Sequence, residues 1–382
     1  MKPSWRFGLL CSQTGVTAKV ETTQLNASLL AIEQLNGAGG VAGRLIEPII
    51  CDPASNPKQF AALAEGLLSQ GSARLIFGCY MSSTRKAVLP LVESYRGLLF
   101  YPTLYEGFEY SKHCIYTGAA PNQNSMQLAK YLFGTYGKRF FFVGSNYVYP
   151  YESNRIMAEL VRQAGGAVLD EIYVPLAPQP ADFSKAIREI ARTKPDVVFS
   201  TVVGEGTAMF YDAFHRAGFD AARLPIASLT TGEAEVAEMT AETACGHVTA
   251  APFFDILPGP AAAGFVSAYR ARFGADAPVP AAAEAAYFQV MLAAKAIAQA
   301  GADDPGLVQA ALAGCEYDAP QGRVRIDGDN NHTYLWPRVA RLDAQGQFEV
   351  VWNAEAPVKP DPYRVTQTLD EWSSGAVHRS LA

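Results

Sequence analysis

The chain has 382 residues, more than one hydrophobic core normally supports, so two lobes of roughly 100–200 residues each are expected. Hydrophobic residues at 49% against charged residues at 18% exclude a disordered polymer. The formal net charge of -6, with Lys and Arg scattered instead of clustered, argues against direct nucleic-acid binding.

Along the chain, short β-branched or aromatic runs alternate with longer helical patterns, the signature of βαβ units around parallel sheets. Arg6–Cys11 reads as a buried first strand, followed by a helix over Thr22–Asn36 with Leu25, Leu29, Ile32 and Leu35 on one face. The turn at Gly37–Gly40 leads to a strand at Leu45–Cys51, and Pro57 opens the next helix where its missing N–H costs nothing. Strand Arg74–Gly78, helix Ser82–Tyr95, strand Gly97–Tyr101 and strand His113–Thr117 follow, before a break at Gly118–Asn122. The rhythm then restarts: helix Asn124–Tyr136, strand Arg139–Ser145, helix Glu152–Ala164, strand Val168–Val174, helix Asp182–Thr193, strand Asp196–Thr201 and helix Thr207–Ala217. Strand Leu224–Ser228, a short helix near Glu233–Met239 and strand His247–Ala251 end in Pro252, a second apparent crossing. Helices Pro260–Phe273 and Ala281–Ala300 suit a return to the first lobe, and Val324–Ile326, Thr333–Leu342 and Phe348–Trp352 resemble strands divided by turns. The expected architecture is an α/β type I periplasmic-binding-protein-like fold, two doubly wound parallel-sheet lobes joined by three crossings. Residues 1–119 plus 252–328 would form the first lobe and 120–251 plus 329–382 the second.

Catalytic signatures are missing. There is no GxSxG elbow, HExxH helix or GxxxxGKS/T loop, and Gly37–Gly40 follows a helix and precedes a strand, the reverse of a dinucleotide fingerprint. The five histidines lack metal-ligand spacing, and the six cysteines lack CxxC pairs and read as free, mostly buried thiols. A binding protein without cofactor or metal is expected, not an enzyme.

The informative residues end the strands. Leu75–Cys79 hands over through Tyr80, Met81, Ser82 and Ser83 to a helix carrying Arg85 and Lys86, where the serines would cap the helix and first-turn N–H groups are free for a ligand oxygen. Ligands of doubly wound sheets bind at such carboxyl edges. The next strand ends in Tyr101, Thr103, Leu104 and Tyr105; those of the second lobe end in Ser145–Pro150, with Tyr149, and in Thr201–Glu205, with Val203. Hydroxyls and rings at facing strand ends suit a small, neutral, polar ligand.

At these residues the chain resembles the cytoplasmic amide receptors that negatively regulate aliphatic amidase operons and, more distantly, the substrate-binding proteins of urea ABC transporters. The resemblance runs nearly end to end, through TGVTA (Thr14–Ala18), GCYMS (Gly78–Ser82), TRKAV (Thr84–Val88), YEGFEYS (Tyr105–Ser111), PNQNS (Pro121–Ser125), TVVG (Thr201–Gly204), ASLTT (Ala227–Thr231), DAPQG (Asp318–Gly322) and DPY (Asp361–Tyr363). It implies ligand contacts at Tyr80, Ser82, Tyr101, Thr103, Tyr149 and Val203, and an RNA-binding antiterminator as partner. Two departures stand beside the ligand: Leu104 replaces a proline, and Glu205 follows Gly204 where the amide receptors have threonine and the urea-binding proteins an acid. Glu205 either faces the cleft, favouring ligands rich in N–H donors, or starts the following helix and complements its dipole. The resemblance also implies a homo-oligomer. The start MKPSWRFGLLCSQTG has too short an apolar run for a signal peptide, and no run of 18 apolar residues offers a membrane span, so a cytoplasmic location is expected if Met1 is the native start. A trimmed signal sequence would leave the same start and a periplasmic protein.

Overall fold

A computed structural model of the chain describes residues 4–363. Its first segment alternates strand and helix: β1 (Trp5–Leu10), α1 (Ala18–Gly37), β2 (Ile46–Cys51), α2 (Pro57–Ser69), β3 (Leu75–Gly78), α3 (Ser82–Ser94), β4 (Leu98–Tyr101) and β5 (Cys114–Tyr116). The strands form an all-parallel sheet in the order β2-β1-β3-β4-β5. Both of its faces are covered, which is why β3, β4 and β5 read as unbroken apolar runs and not as an alternation. Alternate residues nevertheless divide between two cores. Phe7, Phe77 and Phe100 stack on one face, with centroids 4.6 and 4.4 Å apart, while Leu10, Ile76 and Leu99 point to the other. Full burial of one such phenylalanine contributes about 1.5–3 kcal/mol.

After β5 the chain crosses through 117–124 and builds the second lobe: α4 (Ser125–Thr135), β6 (Arg139–Ser145), α5 (Val148–Gln163), β7 (Ala167–Val174), α6 (Ser184–Thr193), β8 (Val197–Thr201), α7 (Gly206–Arg216), β9 (Ile226–Ser228), the short α8 (Glu233–Val236) and α9 (Ala241–Ala244), and β10 (Val248–Ala251). The parallel part of this sheet runs β7-β6-β8-β9-β10, the same winding as the first. The two sheets therefore reverse direction at equivalent places, between β1 and β3 and between β6 and β8, where the carboxyl ends of neighbouring strands open a crevice.

The second crossing, 252–259, returns the chain to the first lobe. There α10 (Pro260–Phe273) and α11 (Ala281–Ala300) cover the Phe7 face of the sheet, followed by α12 (Pro305–Leu312) and a small antiparallel sheet of β11 (Glu316–Ala319), β12 (Gly322–Ile326) and β13 (Thr333–Tyr334). A third passage leads to β14 (Arg338–Leu342) and β15 (Phe348–Asn353), which add antiparallel to β10. The type I binding-protein fold expected from the strand rhythm is thus the fold observed.

Several local expectations are corrected. Residues 329–334 stay with the first lobe, beyond the boundary set at 328, because β13 pairs with β12 and His332 bridges β5 at Tyr116. The expected second-lobe range also includes 364–382, outside the described residues. Helix α5 begins at Val148, four residues early, and so takes up Tyr149. Helix α12 and strand β11 were not foreseen, although Asp304 caps α12 with bonds from the N–H groups of Gly306 and Leu307 at 3.0 and 3.2 Å, and Pro305 sits at its first position.

The crossings are fastened to one another. Arg338, at the third passage, donates to the carbonyl of Pro252 in the second and, at 3.0 Å, to that of Gln321. Beyond β15 the chain turns back over the same region: Val358 N donates to Leu335 O at 2.8 Å, Asn122 Nδ2 to Lys359 O at 2.8 Å, and Phe108 N to Pro362 O at 2.7 Å. Gly107 permits the last contact, since a Cβ there would lie 2.6 Å from the Pro362 carbonyl oxygen. Among the described residues no helix is long and apolar enough to cross a membrane.

Candidate ligand-binding site

The carboxyl ends of the two sheets face each other across a small cavity lined by Tyr80, Ser82, Thr103, Leu104, Tyr147, Tyr149, Val203 and Thr230. The first lobe contributes the segments after β3 and β4, the second those after β6, β8 and β9. Six of the eight residues singled out from the sequence meet here: Tyr80, Ser82, Thr103, Leu104, Tyr149 and Val203. Sequence reasoning missed Tyr147 and Thr230, although both lie in segments that carry the resemblance or end a strand, and following the carboxyl edge one strand further would have reached Thr230.

Tyr101 and Glu205 do not line this cavity. Tyr101 closes β4 on the same face as Leu99, fully buried, and its hydroxyl donates to the carbonyl of Tyr80 at 2.7 Å. It supports the backbone of a lining residue from behind. Glu205 is exposed, sits at the start of α7, and borders a separate space with Val16, Lys19, Met209 and Glu238 at the mouth between the lobes. The helix-start reading of Glu205 fits this placement. Ser82 and Ser83 were expected to cap α3; Met81 occupies the cap position instead, no side chain caps the helix, and Ser82 is its first residue.

The Ser82 hydroxyl is used elsewhere. It donates to the Glu106 carboxylate, and Glu106 is 3% exposed. Arg85, fully buried, pairs with Glu106 through Nη2 at 3.1 Å and with Glu109 through Nε at 2.8 Å, and its Nη1 approaches Ser82 Oγ at 3.3 Å. Burial disfavours the Arg85 charge, but Tyr101 and the two carboxylates more than offset it and raise the guanidinium pKa. Burial likewise opposes ionisation of Glu109, and Arg85 and Lys86 outweigh it, holding its carboxyl below the usual range. The Arg85 guanidinium lies 4.8 Å above the Tyr101 ring and 4.7 Å above Tyr105. Tyr116 Oη donates to Glu109 at 3.0 Å, and His332 stacks on Tyr116 at 4.1 Å, so the assembly reaches from the cavity wall to the small third sheet.

The two threonine hydroxyls are also directed inward to the protein. Thr103 Oγ1 accepts from Gln24 Nε2 at 2.9 Å and donates to Cys79 O at 3.4 Å. Thr230 Oγ1 donates to Val202 O at 3.0 Å. Tyr149 differs: it is 3% exposed, Ser153 lies one helical turn on, and no group meets its hydroxyl with hydrogen-bonding geometry among the described residues. Burial pushes its pKa up, so the phenol keeps its proton at neutral pH. None of the eight lining side chains is charged. Tyr80, Leu104 and Thr230 also border a second space running toward the crossings, where burial raises the Glu235 carboxyl to about 7.

The lobes touch beyond the cavity. Lys19 of α1 pairs with Glu238, and Val20, Tyr80, Met81 and Ala234 form one apolar cluster across the cleft. At Gly204, φ is +62°, and a Cβ would stand 2.3 Å from the Val16 carbonyl oxygen of the opposite lobe. Only glycine permits that approach. All six cysteines are free, and no cluster of His, Cys, Asp or Glu suited to a metal occurs among the described residues.

Two doubly wound sheets facing each other across a small polar cavity are the architecture of a type I binding protein. Residues 5–369 match the periplasmic binding protein domain family, and the chain belongs to it. It is similar in structure to a solute-binding protein of an ABC transporter from Rhodopseudomonas palustris in complex with 3,4-dihydroxybenzoic acid, with a TM-score of 0.83, 22% identity, and coverage of 94% of this chain and 99% of that one. In sequence it is 34% identical over 90 residues to a leucine-, isoleucine-, valine-, threonine- and alanine-binding protein of Pseudomonas aeruginosa, covering 24% of each chain. A limonene hydroxylase of Geobacillus stearothermophilus is 24% identical over 132 residues, 35% of this chain and 24% of that protein. The chain thus spans about a quarter of the length of these curated relatives. The family and the structural neighbour are binding proteins, not enzymes.

Proposed function

We propose that this chain is a hinge-closing substrate-binding protein whose cleft takes a short-chain aliphatic amide or urea. The observation that carries the reading is the direction of the hydroxyl protons. Ser82, Thr103 and Thr230 give theirs to Glu106, Cys79 and Val202, so lone pairs are what they have left for a ligand. The unpartnered Tyr149 hydroxyl is a donor with no acceptor of its own. The lone pairs of Ser82, Thr103 and Thr230, set beside the phenol hydroxyls of Tyr80, Tyr147 and Tyr149, suit a molecule with several N–H groups and one carbonyl. A carboxylate would find no lining cation to balance its charge, which is costly in a buried site.

In this reading residues up to 119 with 252–334 form one body and 120–251 with 338–353 the other, and ligand binding favours their closed arrangement. Tyr80, Ser82, Thr103, Leu104, Tyr149 and Val203, joined by Tyr147 and Thr230, hold the ligand, while Tyr101 positions Tyr80. Thermal-shift and calorimetric titration with acetamide, propionamide and urea, set against isoleucine and 3,4-dihydroxybenzoate, tests it. Amides or urea should stabilise the protein, with an affinity nearly independent of salt because no charged side chain lines the cavity. Stabilisation by the acids alone would overturn the assignment.

The long motifs GCYMS and YEGFEYS support a second reading, a cytoplasmic sensor that closes on an amide and thereby releases an RNA-binding antiterminator. Fusing the native gene start to a reporter active only after export separates the two: export supports transport, retention the sensor.

A further inference from the structure

We infer that Glu106 is a positioning residue that sets the ligand class by holding Ser82 as a hydrogen-bond acceptor toward the cavity. The inference rests on the amide or urea reading and deepens it. A serine hydroxyl has one proton and can turn it either way; which way decides whether the site welcomes a donor or an acceptor. Here the proton is drawn backward. Glu106 is ion-paired to Arg85 at 3.1 Å, so it faces Ser82 as an acceptor, and the hydroxyl donates to it. Arg85 Nη1 approaches the same oxygen at 3.3 Å and reinforces that direction, because it donates where the serine proton cannot go. What remains for the ligand is one lone pair. An N–H of an amide or urea satisfies it, whereas a carboxylate oxygen at the same place finds repulsion instead of a bond.

The surroundings keep this arrangement rigid. Glu106 is 3% exposed and Arg85 fully buried, so the two groups that orient the Ser82 hydroxyl are shielded from bulk solvent. Glu106 itself is not part of the cavity lining; it acts on the ligand only through Ser82. The sequence lacks a motif that would announce this, since Ser82 and Glu106 stand 24 residues apart and meet only because β3 and β4 lie side by side.

Replacing the carboxylate by a carboxamide should reverse the proton. In Glu106→Gln the oxygen can keep the Arg85 contact while the NH2 group donates to Ser82, freeing the serine proton for the cavity. Arg85 retains Glu109 at 2.8 Å, so its charge stays paired. Calorimetric titration of the wild type, Glu106→Gln, Ser82→Ala and the double variant with acetamide, urea, acetate and propionate reads the effect. The ratio of amide to carboxylate affinity should fall at least about ten-fold in Glu106→Gln, the loss expected when a buried polar contact becomes a mismatch. It should fall in Ser82→Ala as well, and adding Glu106→Gln to Ser82→Ala should change it no further. Equal weakening of amides and acids in Glu106→Gln, or an unchanged ratio in Ser82→Ala, would overturn the inference, and the serine variant decides even if the glutamine variant does not fold. Failure of the broader reading looks different, because it shows in the wild type as binding of acids and not of amides.

Discussion

On the first-lobe side of the cleft, Ser82 and Thr103 stand on a buried polar assembly in which their hydroxyl protons have destinations, Glu106 and the Cys79 carbonyl, and behind them Arg85 pairs with Glu109, which accepts from Tyr116. On the second-lobe side, Tyr149 emerges from the first turn of α5 with a buried hydroxyl that has none. In the proposed reading one wall is finished before the ligand arrives and the other is completed by it. A binding protein gains from this division, since a prepared wall limits the ordering cost of binding, and an incomplete one makes closure depend on the ligand.

The comparison can be broken hardest from the prepared side. Arg85→Met removes the guanidinium between Glu106 and Glu109 and leaves the half-exposed Lys86 as their remaining cation, which should lower ligand-free stability by about 3 kcal/mol in denaturant titration. Stability close to wild type would mean that the assembly is not what holds this wall. Gly204→Ala attacks closure itself. A methyl group 2.3 Å from the Val16 carbonyl props the lobes apart, so affinity should drop by more than about ten-fold, with a further cost of about 1–2 kcal/mol from a left-handed alanine in the ligand-free protein. Unchanged affinity would show that the lobes need not approach so closely.

Tyr149→Phe sharpens the contrast. It removes a hydroxyl that is unsatisfied until the ligand binds, so ligand-free stability should hold or rise slightly while binding weakens by about 0.5–1.5 kcal/mol in calorimetry. A drop in ligand-free melting temperature with unchanged affinity would instead make Tyr149 a core residue. The smallest effect concerns His332, which supports the first-lobe wall through Tyr116. Its Nδ1 lies 2.6 Å from the carbonyl of Asn330, and burial lowers its pKa to about 4 from the usual 6.5 or so. The unfolded chain therefore takes up a proton between about pH 6.5 and 4 that the folded protein refuses, and stability falls as pH drops through that window. His332→Gln should flatten that part of the pH–stability curve; an unchanged slope would assign it to other groups.

Much of the fold was legible because parallel strands buried on both faces appear as short apolar runs, and helices between them keep their own period. The strand ends were legible for the same reason, and they led to Ser82, Thr103, Tyr149 and Val203. Tyr101 was misplaced because a strand's last side chain points to one face or the other, and only packing against Arg85 and Tyr105 decides which. The pairing of Ser82 and Arg85 with Glu106 and Glu109 was beyond reach, since it joins residues 21–24 positions apart across neighbouring strands. The β13 boundary failed likewise, because two residues of pairing and one histidine stack leave no periodic trace.

The return of the chain over the crossings has a mechanical consequence. Residues 358–362 clasp Asn122 in the first passage, Leu335 in the third, and the loop at Phe108, while Arg338 ties the third passage to the second. Strands bound together at one place can twist about their common axis but resist sliding past one another. Such a clasp favours turning of the lobes about the crossings over sliding of one lobe past the other. In the proposed reading, a permease or regulatory partner on the outer surface would meet lobes that turn about the crossings without sliding apart.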